Sequence, residues 1–404
     1  MITVKEAAEK WEVTPRRVQM LCKEGKIKGA VRWSRTWMIP DTAILPGSAD
    51  IIKPDAPMPR KSPFLDMTNI YNKVGMADEC AELLVNNPEA YALFKAQIDY
   101  RRGNIDAVYE KARYFLSAHS GFYAILGAGM LLAMCATWRG DVNMWHEAKK
   151  HIFEVKCNSE REREIVSLTL AVIDSSVYDN KDFPEWFKRG SFLGLPADSH
   201  PTAKVFYVKY LYMSAYSVAA KQKKLEGVSG LGLMKFVPHM IEPMISQAVV
   251  DGTLVPEMYL RLSCAVAYYN LGERELATTH IDRALDIALA DGLFGTLAEY
   301  YRHLDRLLED RIALKDPMVL IKVKNLQKDY AAGWTKLSGS VRNINLASNL
   351  TPREREIAKL VAFGFSTKKI AKMLYIAEST VKQTVLKIVQ KANIKDRSEI
   401  AGIL

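Results

Sequence analysis

The chain has 404 residues, 49% of them hydrophobic and 25% charged, which is typical of a globular protein with about two to four domains. Its formal net charge of +10 is unevenly distributed: residues 1–62 carry +5, residues 342–404 carry +7, and the residues between them carry −2. Basic ends around a near-neutral middle favour two modules that contact a polyanion, although solvated lysines alone would give the same totals.

The cysteines and histidines predict no metal or cofactor site. Five cysteines are scattered without a C-x-x-C pair, which argues against a disulfide framework and a structural zinc site. Seven histidines are dispersed, and the nearest pair, His146 and His151, is out of register for one helix face. The first six residues lack the features of a signal peptide. We therefore expect a cytoplasmic protein with no cofactor, no metal and no membrane partner.

The first 40 residues predict two short helices and a β-hairpin. Thr3 and Glu6 have the spacing of a capping box, in which each side chain satisfies a backbone N–H of the other residue. Thr14 is expected to cap the second helix, Pro15 to occupy its first turn and Gly25 to end it. The apolar residues that should pack between the helices are Val4, Ala7, Ala8, Trp11, Val18, Leu21 and Cys22.

Basic side chains surround these N-terminal elements. Val31 to Ile39 alternates as a β-wing would, and the segment Arg35-Thr-Trp-Met-Ile-Pro40 follows the second helix. This stretch resembles the winged helix-turn-helix of the MerR and excisionase group. The resemblance implies DNA contact, or a domain that has kept the fold and binds protein instead. The expected contact residues are Thr14, Arg16, Arg17, Gln19, Arg32 and Arg35.

A proline-rich linker is predicted next, over residues 41–63, and an all-helical domain over residues 64–336. Six prolines fall between Pro40 and Pro63, whereas apolar residues recur at helical spacing from Phe64 onwards. Residues 120–138 contain no charged side chain, and this uncharged stretch approaches the length that spans a membrane. Two glycines and the absence of flanking basic clusters favour a buried helix there.

Helix pairs recur within this middle domain. The clearest runs from Cys264 to Gly272 and continues with Ala277, Ile281 and Ala284, where small residues let two helices approach. These units resemble tetratricopeptide repeats, and a generic stack of helix pairs would give a similar pattern. We expect such a near-neutral domain to bind a protein, a peptide or a small-molecule effector. A second linker is predicted over residues 337–349, because the stretch from Gly333 to Asn349 is rich in serine, glycine and asparagine.

Residues 350–404 predict a compact helical module. Thr351 and Glu354 form a capping box, Gly364 ends the first helix, and Ser366 caps the second. A third helix is predicted from about Ser379 to Lys391, with a buried stripe of Val381, Val385, Ile388 and Ala392. Helix, tight turn and helix is the arrangement that places one helix in the major groove of DNA. The outward residues expected to reach DNA are Ser379, Lys382, Gln383, Leu386 and Lys387.

This C-terminal stretch resembles the LuxR-type DNA-binding domain, a four-helix helix-turn-helix, over its full length. The resemblance assigns the reading role to Thr380-Val381-Lys382. It also implies that a final helix, opened by Asp396 to Glu399, pairs two copies on double-stranded DNA. The sequence departs from the LuxR-type pattern at two positions. Ala377 stands where the family usually has the serine that caps the reading helix, and Thr384 stands where it usually has a histidine two residues after the lysine.

The predicted fold is therefore mainly α, with a tetratricopeptide-like middle between two helix-turn-helix ends. No G-x-x-x-x-G-K-[ST], G-x-S-x-G or H-E-x-x-H motif occurs, so no enzymatic activity is expected. The favoured function is sequence-specific transcriptional regulation, with the middle controlling the DNA-binding ends. An interaction scaffold and an architectural or recombination-directing DNA-binding protein are the alternatives.

Overall fold

The fold was obtained as a computed structural model. It describes residues 2–10, 15–23, 27, 29–33, 36–40, 62–118, 120–220, 230–342, 350–362, 364–392 and 394–403. The chain divides into two compact units, residues 1–58 and residues 59–404. The larger unit contains both the middle domain and the C-terminal module.

The N-terminal unit contains two helices and a three-stranded antiparallel sheet. Strand β1 (Ile2–Thr3) leads into α1 (Val4–Lys10), α2 (Pro15–Lys23) follows, and β2 (Val31–Trp33) pairs with β3 (Thr36–Ile39). The Thr3 and Glu6 capping box is present, with the Thr3 N–H donating to the Glu6 carboxylate at 2.7 Å. The antiparallel pairing of β2 with β3 confirms the predicted hairpin. β1 was not predicted, because two residues carry no periodicity; it pairs with β3.

The core of this unit confirms most of the predicted apolar face. Val4, Ala7 and Ala8 of α1 pack with Val18, Leu21 and Cys22 of α2. Ile39 of β3 joins them and is fully buried. Trp11 lies outside the described residues, as do Thr14 and Gly25.

The larger unit is built from sixteen described α-helices. The helices of the middle domain mostly pack as antiparallel neighbours in chain order. They are α3 (Ala77–Ala81), α4 (Pro88–Arg102), α5 (Ile105–Ser117), α6 (Phe122–Arg139), α7 (Val142–Phe153), α8 (Glu160–Ser176), α9 (Glu185–Lys188), α10 (His200–Ala220), α11 (Gly230–Asp251), α12 (Leu254–Leu271), α13 (Arg274–Ala290), α14 (Phe294–Lys315) and α15 (Pro317–Arg342). The C-terminal module adds α16 (Pro352–Ala362), α17 (Thr367–Leu374), α18 (Glu378–Ala392) and a final 3₁₀ turn, Arg397–Ile403.

Helix α6 lies at the centre of the middle domain. It contacts α5, α7, α8 and α15, and its residues from Leu126 to Trp138 are all buried. Among the described residues it is the one helix long and apolar enough to cross a membrane, and 78% of that window is buried inside the protein. The uncharged stretch predicted as a buried helix is therefore the central core element.

Left-handed glycines end several of the helices, as the sequence predicts. Gly272 follows α12 with φ of +89°, a conformation that costs a glycine little because it has no Cβ. The next helix, α13, then returns along α12, with Ala277, Ile281 and Ala284 fully buried between the two. These are antiparallel helix pairs, and their assignment to the tetratricopeptide family remains a prediction.

The first predicted linker ends, and the second begins, inside the larger folded unit. Ser62 and Pro63 are buried, and the Pro63 carbonyl accepts a hydrogen bond of 2.6 Å from the Gln97 side chain. At the other boundary α15 continues to Arg342, so the first six residues of the predicted second linker are helical. The glycine and serine content suggested a loop there. Gly333 instead lies where α15 crosses α6, and a Cβ on it would meet the Trp138 carbonyl oxygen at 1.9 Å.

Substituting Gly333 tests this crossing. Gly333→Ala should lower the free energy of unfolding by about 3 kcal/mol, because the α6 backbone must move to admit a methyl group. The neighbouring exposed Ala332→Ser should change it by less than about 0.5 kcal/mol. Urea unfolding of the full chain measures both. A gain of about 1 kcal/mol, as expected for alanine in an open helix, would contradict the close approach.

Candidate nucleic-acid interface

Capping interactions fix the first two helices of the C-terminal module. The Thr351 N–H donates to the Glu354 carboxylate at 2.8 Å, and the Glu354 N–H donates to the Thr351 hydroxyl at 3.2 Å. The Ser366 hydroxyl accepts from the Lys369 N–H at the start of α17. Gly364 adopts the left-handed conformation between the two helices. The predicted capping box, glycine stop and serine cap are all confirmed.

Helix α18 divides into a buried and an exposed face as predicted. Val381, Val385, Ile388 and Ala392 are buried. The other face carries exposed side chains in the first three turns, and Leu386 has 61% of its surface exposed. This exposed set, called the reading face below, is Ser379, Thr380, Lys382, Gln383, Leu386 and Lys387.

The start of α18 shows the consequence of the alanine at position 377. The Val381 N–H bonds to the Ala377 carbonyl, so Ala377 occupies the N-cap position, where its methyl group offers no acceptor. Ser379 lies inside the first turn. Thr384 donates its hydroxyl to the Thr380 carbonyl at 2.8 Å, within the helix.

Two partly buried polar contacts brace the module, one between α16 and α18 and one between the final turn and the start of α17. Lys391 at the end of α18 donates to Glu354 at 2.7 Å, and this ammonium is the main reason that the pKa of Glu354 is lowered. Arg397 donates to the Thr367 hydroxyl at 2.9 Å and to the Phe365 carbonyl. The reading face is therefore carried by a braced scaffold.

The last turn differs in detail from its prediction. Asp396 accepts from the Ser398 N–H at 2.7 Å, as a cap would, but Glu399 accepts from the Lys395 N–H and not from that of Asp396. The segment that follows is a 3₁₀ turn, and Ile400 within it is fully buried.

Comparison with known proteins assigns this module. Residues 348–404 match the family described as "Bacterial regulatory proteins, luxR family". The C-terminal module is a LuxR-family domain.

Curated relatives match the LuxR-family domain and little else. The uncharacterized transcriptional regulatory protein YvfU of Bacillus subtilis is 46% identical over 54 residues, which are 13% of this chain and 27% of that protein. The nitrate/nitrite response regulator NarL of Escherichia coli is 48% identical over 60 residues, 15% and 26% respectively. The transcriptional regulatory protein DegU of Brevibacillus brevis is 46% identical over 50 residues, 12% and 21%.

The chain thus spans about a quarter of the length of the curated relatives it matches. No solved structure gives a significant match to it.

The N-terminal candidates are only partly described. Gln19 lies exposed on α2, and Arg32 lies exposed on β2, where it is paired with Trp37 of β3. Thr14 and Arg35 lie outside the described residues, as do the side chains of Arg16 and Arg17. The structure therefore places two of these six side chains on the surface of the N-terminal unit.

The LuxR-family domain packs against the middle domain. Its last turn contacts α10, and α16 contacts α10 as well. Lys359 of α16 forms an ion pair of 2.6 Å with Asp305 of α14. Asp305 has φ of +44° and ψ of −125°, which kinks α14 at the point of contact. Sequence reasoning missed this contact because it joins segments that are 54 residues or more apart.

A small cavity with polar and apolar lining lies inside the middle domain, and the same two helices supply part of its wall. Thr202, Phe206 and Lys209 of α10 line it, as does Glu299 of α14. Its free volume, measured as the space that the centre of a water molecule can occupy, is about 20 Å³. This is room for one or two water molecules or a very small ligand. The Glu299 carboxylate accepts from the hydroxyls of Tyr100 at 2.6 Å and Tyr259 at 3.0 Å.

Two groups that line the cavity lack polar partners among the described residues. Thr202 is fully buried, and its hydroxyl has no hydrogen-bond partner there. The ammonium of Lys209 lies 4.9 Å from the centre of the Phe206 ring and forms no ion pair with a described residue, although the charge of Glu299 acts on it from a longer distance. Burial lowers the pKa of Lys209. The cavity therefore offers a positive charge and a hydroxyl that an occupant can satisfy.

Substitutions on the reading face test its role. Lys382→Ala and Gln383→Ala should each weaken binding to a specific duplex by about 1–3 kcal/mol, because both side chains can donate hydrogen bonds to base edges. Gln390→Ala is the matched control, since Gln390 is exposed two turns further along α18. Equal losses on specific and random DNA would show that these residues do not read bases.

Replacing Lys209 tests how much the buried ammonium destabilises the protein when the cavity holds no ligand. Without ligand, Lys209→Met should raise the free energy of unfolding by about 1 kcal/mol at neutral pH, since methionine needs no counter-charge. Folding lowers the pKa of Lys209, so this difference should shrink as the pH rises towards the ordinary lysine value. Lys204→Met, also on α10 and also partly buried, is the control. A loss of stability in Lys209→Met would mean that the ammonium stabilises the empty cavity.

Proposed function

We propose that the chain is a sequence-specific DNA-binding transcriptional regulator, not an enzyme, that acts in the cytoplasm. The observation that carries this proposal is the exposed reading face of α18 on a braced LuxR-family domain. Base-edge readout needs outward polar side chains near the start of such a helix, and Lys382 and Gln383 lie there. Lys387 is placed to neutralise phosphate, in keeping with the positive charge of this end of the chain.

The middle domain, in this proposal, controls the reading of DNA through α10. The final turn is the element expected to pair two copies, and it lies against α10. A second copy and α10 therefore compete for the same surface. Control follows if an effector favours the released arrangement, since a ligand shifts an equilibrium only by its difference in affinity for the two states.

The cavity is the proposed site for a small effector. Two of the several helices that line it, α10 and α14, also contact the LuxR-family domain. An occupant that moves either helix changes the docking surface at the same time. A protein or peptide effector would instead bind the outer surface of the helix pairs, and the unpartnered Thr202 and Lys209 side chains favour the small ligand.

The N-terminal unit is proposed to add a second DNA contact through Arg16, Arg17, Arg32 and Arg35. The contribution of this unit to DNA affinity should fall as the salt concentration rises, because its contacts with phosphates release counterions from the DNA. Promoter occupancy with expression changes supports regulation, whereas occupancy confined to a mobile element supports the recombination-directing alternative. A scaffold would show neither.

The ion pair between α14 and α16 gives a direct test of docking. Asp305→Asn removes the charge and keeps the size of the side chain at this position. We expect about two- to fivefold tighter operator binding and a larger dimer fraction, matching an ion pair worth about 0.4–1 kcal/mol. Asp310→Asn, five residues further along α14, is the control. Unchanged affinity and unchanged dimerisation would contradict control through this contact.

A further inference from the structure

Three metal-ligating side chains meet on three neighbouring helices of the middle domain. Glu242 of α11, Cys264 of α12 and His280 of α13 each offer one ligand atom, and these atoms all lie within 4.8 Å of one another. The thiol is fully buried, the imidazole is partly buried and the carboxylate is exposed. The sequence predicts no metal here, because the residues are 22 and 16 positions apart and form no motif.

We propose that Glu242, Cys264 and His280 bind a zinc ion. A thiolate, an imidazole and a carboxylate are ligand types that zinc takes, at about 2.0–2.3 Å from the ion, which puts tetrahedral ligand atoms roughly 3.5 Å from one another. The three ligand atoms here lie within 4.8 Å of one another, close to that arrangement. Three protein ligands leave the fourth tetrahedral position to water. Access from solvent is on the Glu242 side.

Tyr268 positions two of the three ligands. Its hydroxyl donates to the Glu242 carboxylate, and its ring stacks on that of His280, with centroids 5.7 Å apart and planes 16° apart. Outer residues that orient ligands in this way are typical of built metal sites. The Nδ1 atom of His280 is buried and has no hydrogen-bond partner among the described residues, which leaves it free for a metal.

Burial shifts the pKa of the imidazole and that of the thiol in opposite directions. Burial lowers the pKa of His280, so the imidazole is neutral near pH 7. Burial and the Glu242 charge raise the pKa of the Cys264 thiol to about 12, so zinc must displace one proton. Arg261 lies near both groups, but its guanidinium is paired with Glu257 at 2.7 Å.

Bound zinc would join α11 to the α12 and α13 pair. Without it, the packing of α11 on α10 and on α12 holds this edge of the domain. A metal that clamps α11 would therefore stabilise the middle domain without touching the reading face. This inference does not depend on the proposed function, since it concerns binding and stability alone.

Cobalt is the probe for this site, because a thiolate bound to tetrahedral Co²⁺ gives a near-ultraviolet charge-transfer band and intense visible bands. The full chain, freed of metal by a chelator, should take up one equivalent of Co²⁺, and added Zn²⁺ should displace it. Cys264→Ser should lose the charge-transfer band. Glu242→Gln, at an exposed position that does not threaten folding, should weaken Zn²⁺ binding by tenfold or more.

Matched variants separate this site from other thiols and imidazoles. Cys157→Ser and His151→Gln lie outside the cluster and should leave Co²⁺ binding unchanged. Tyr268→Phe keeps the ring but removes the hydrogen bond to Glu242, and should weaken binding about tenfold. The proposal is overturned if the full chain binds no Co²⁺, or if Cys264→Ser and Glu242→Gln bind it as the unmodified chain does.

Discussion

The packing of the LuxR-family domain against α10 and α14 is the contact on which the rest of this account depends. α10 lines the cavity and also contacts the last turn of the domain. α14 carries Glu299 in the cavity and, six residues later, Asp305 at the domain. These two helices thus connect the interior cavity to the surface of the LuxR-family domain through which two copies would pair. No described helix of the middle domain covers the reading face, whose side chains remain exposed.

The energies involved are small enough for such a contact to act as a switch. An ion pair such as Lys359–Asp305, with 23% and 40% of the two side chains exposed, contributes about 0.2–1 kcal/mol. The left-handed conformation of Asp305 costs about 1–3 kcal/mol, and the surrounding packing must offset it. A shift in population of tenfold needs only about 1.4 kcal/mol of differential binding. A compact ligand with one good contact to Lys209 supplies that much.

Local features were predictable from the sequence, and contacts between distant segments were not. The capping boxes at Thr3 and Thr351, the buried stripe of α18 and the end of α12 at Gly272 follow from rules that span a few residues. The helical conformation around Gly333 was not predictable, because its close approach to Trp138 depends on a helix nearly 200 residues away. The cavity, the Asp305 contact and the Glu242–Cys264–His280 cluster depend on tertiary packing in the same way. For the reading face, exposure and position follow the prediction, while its contact with bases remains a prediction.

The distance between the LuxR-family domain and the middle domain is the quantity that tests the central claim most directly. Spin labels at two exposed positions, Leu314 on α14 and Gln390 on α18, would report it by pulsed electron resonance. Labelled chain would be diluted with unlabelled chain so that only distances within one copy contribute. The account predicts one short distance in the free chain and a longer, separate distance when operator DNA is bound. The same distance with and without operator would contradict it, because the domain would then read DNA while still docked on α10.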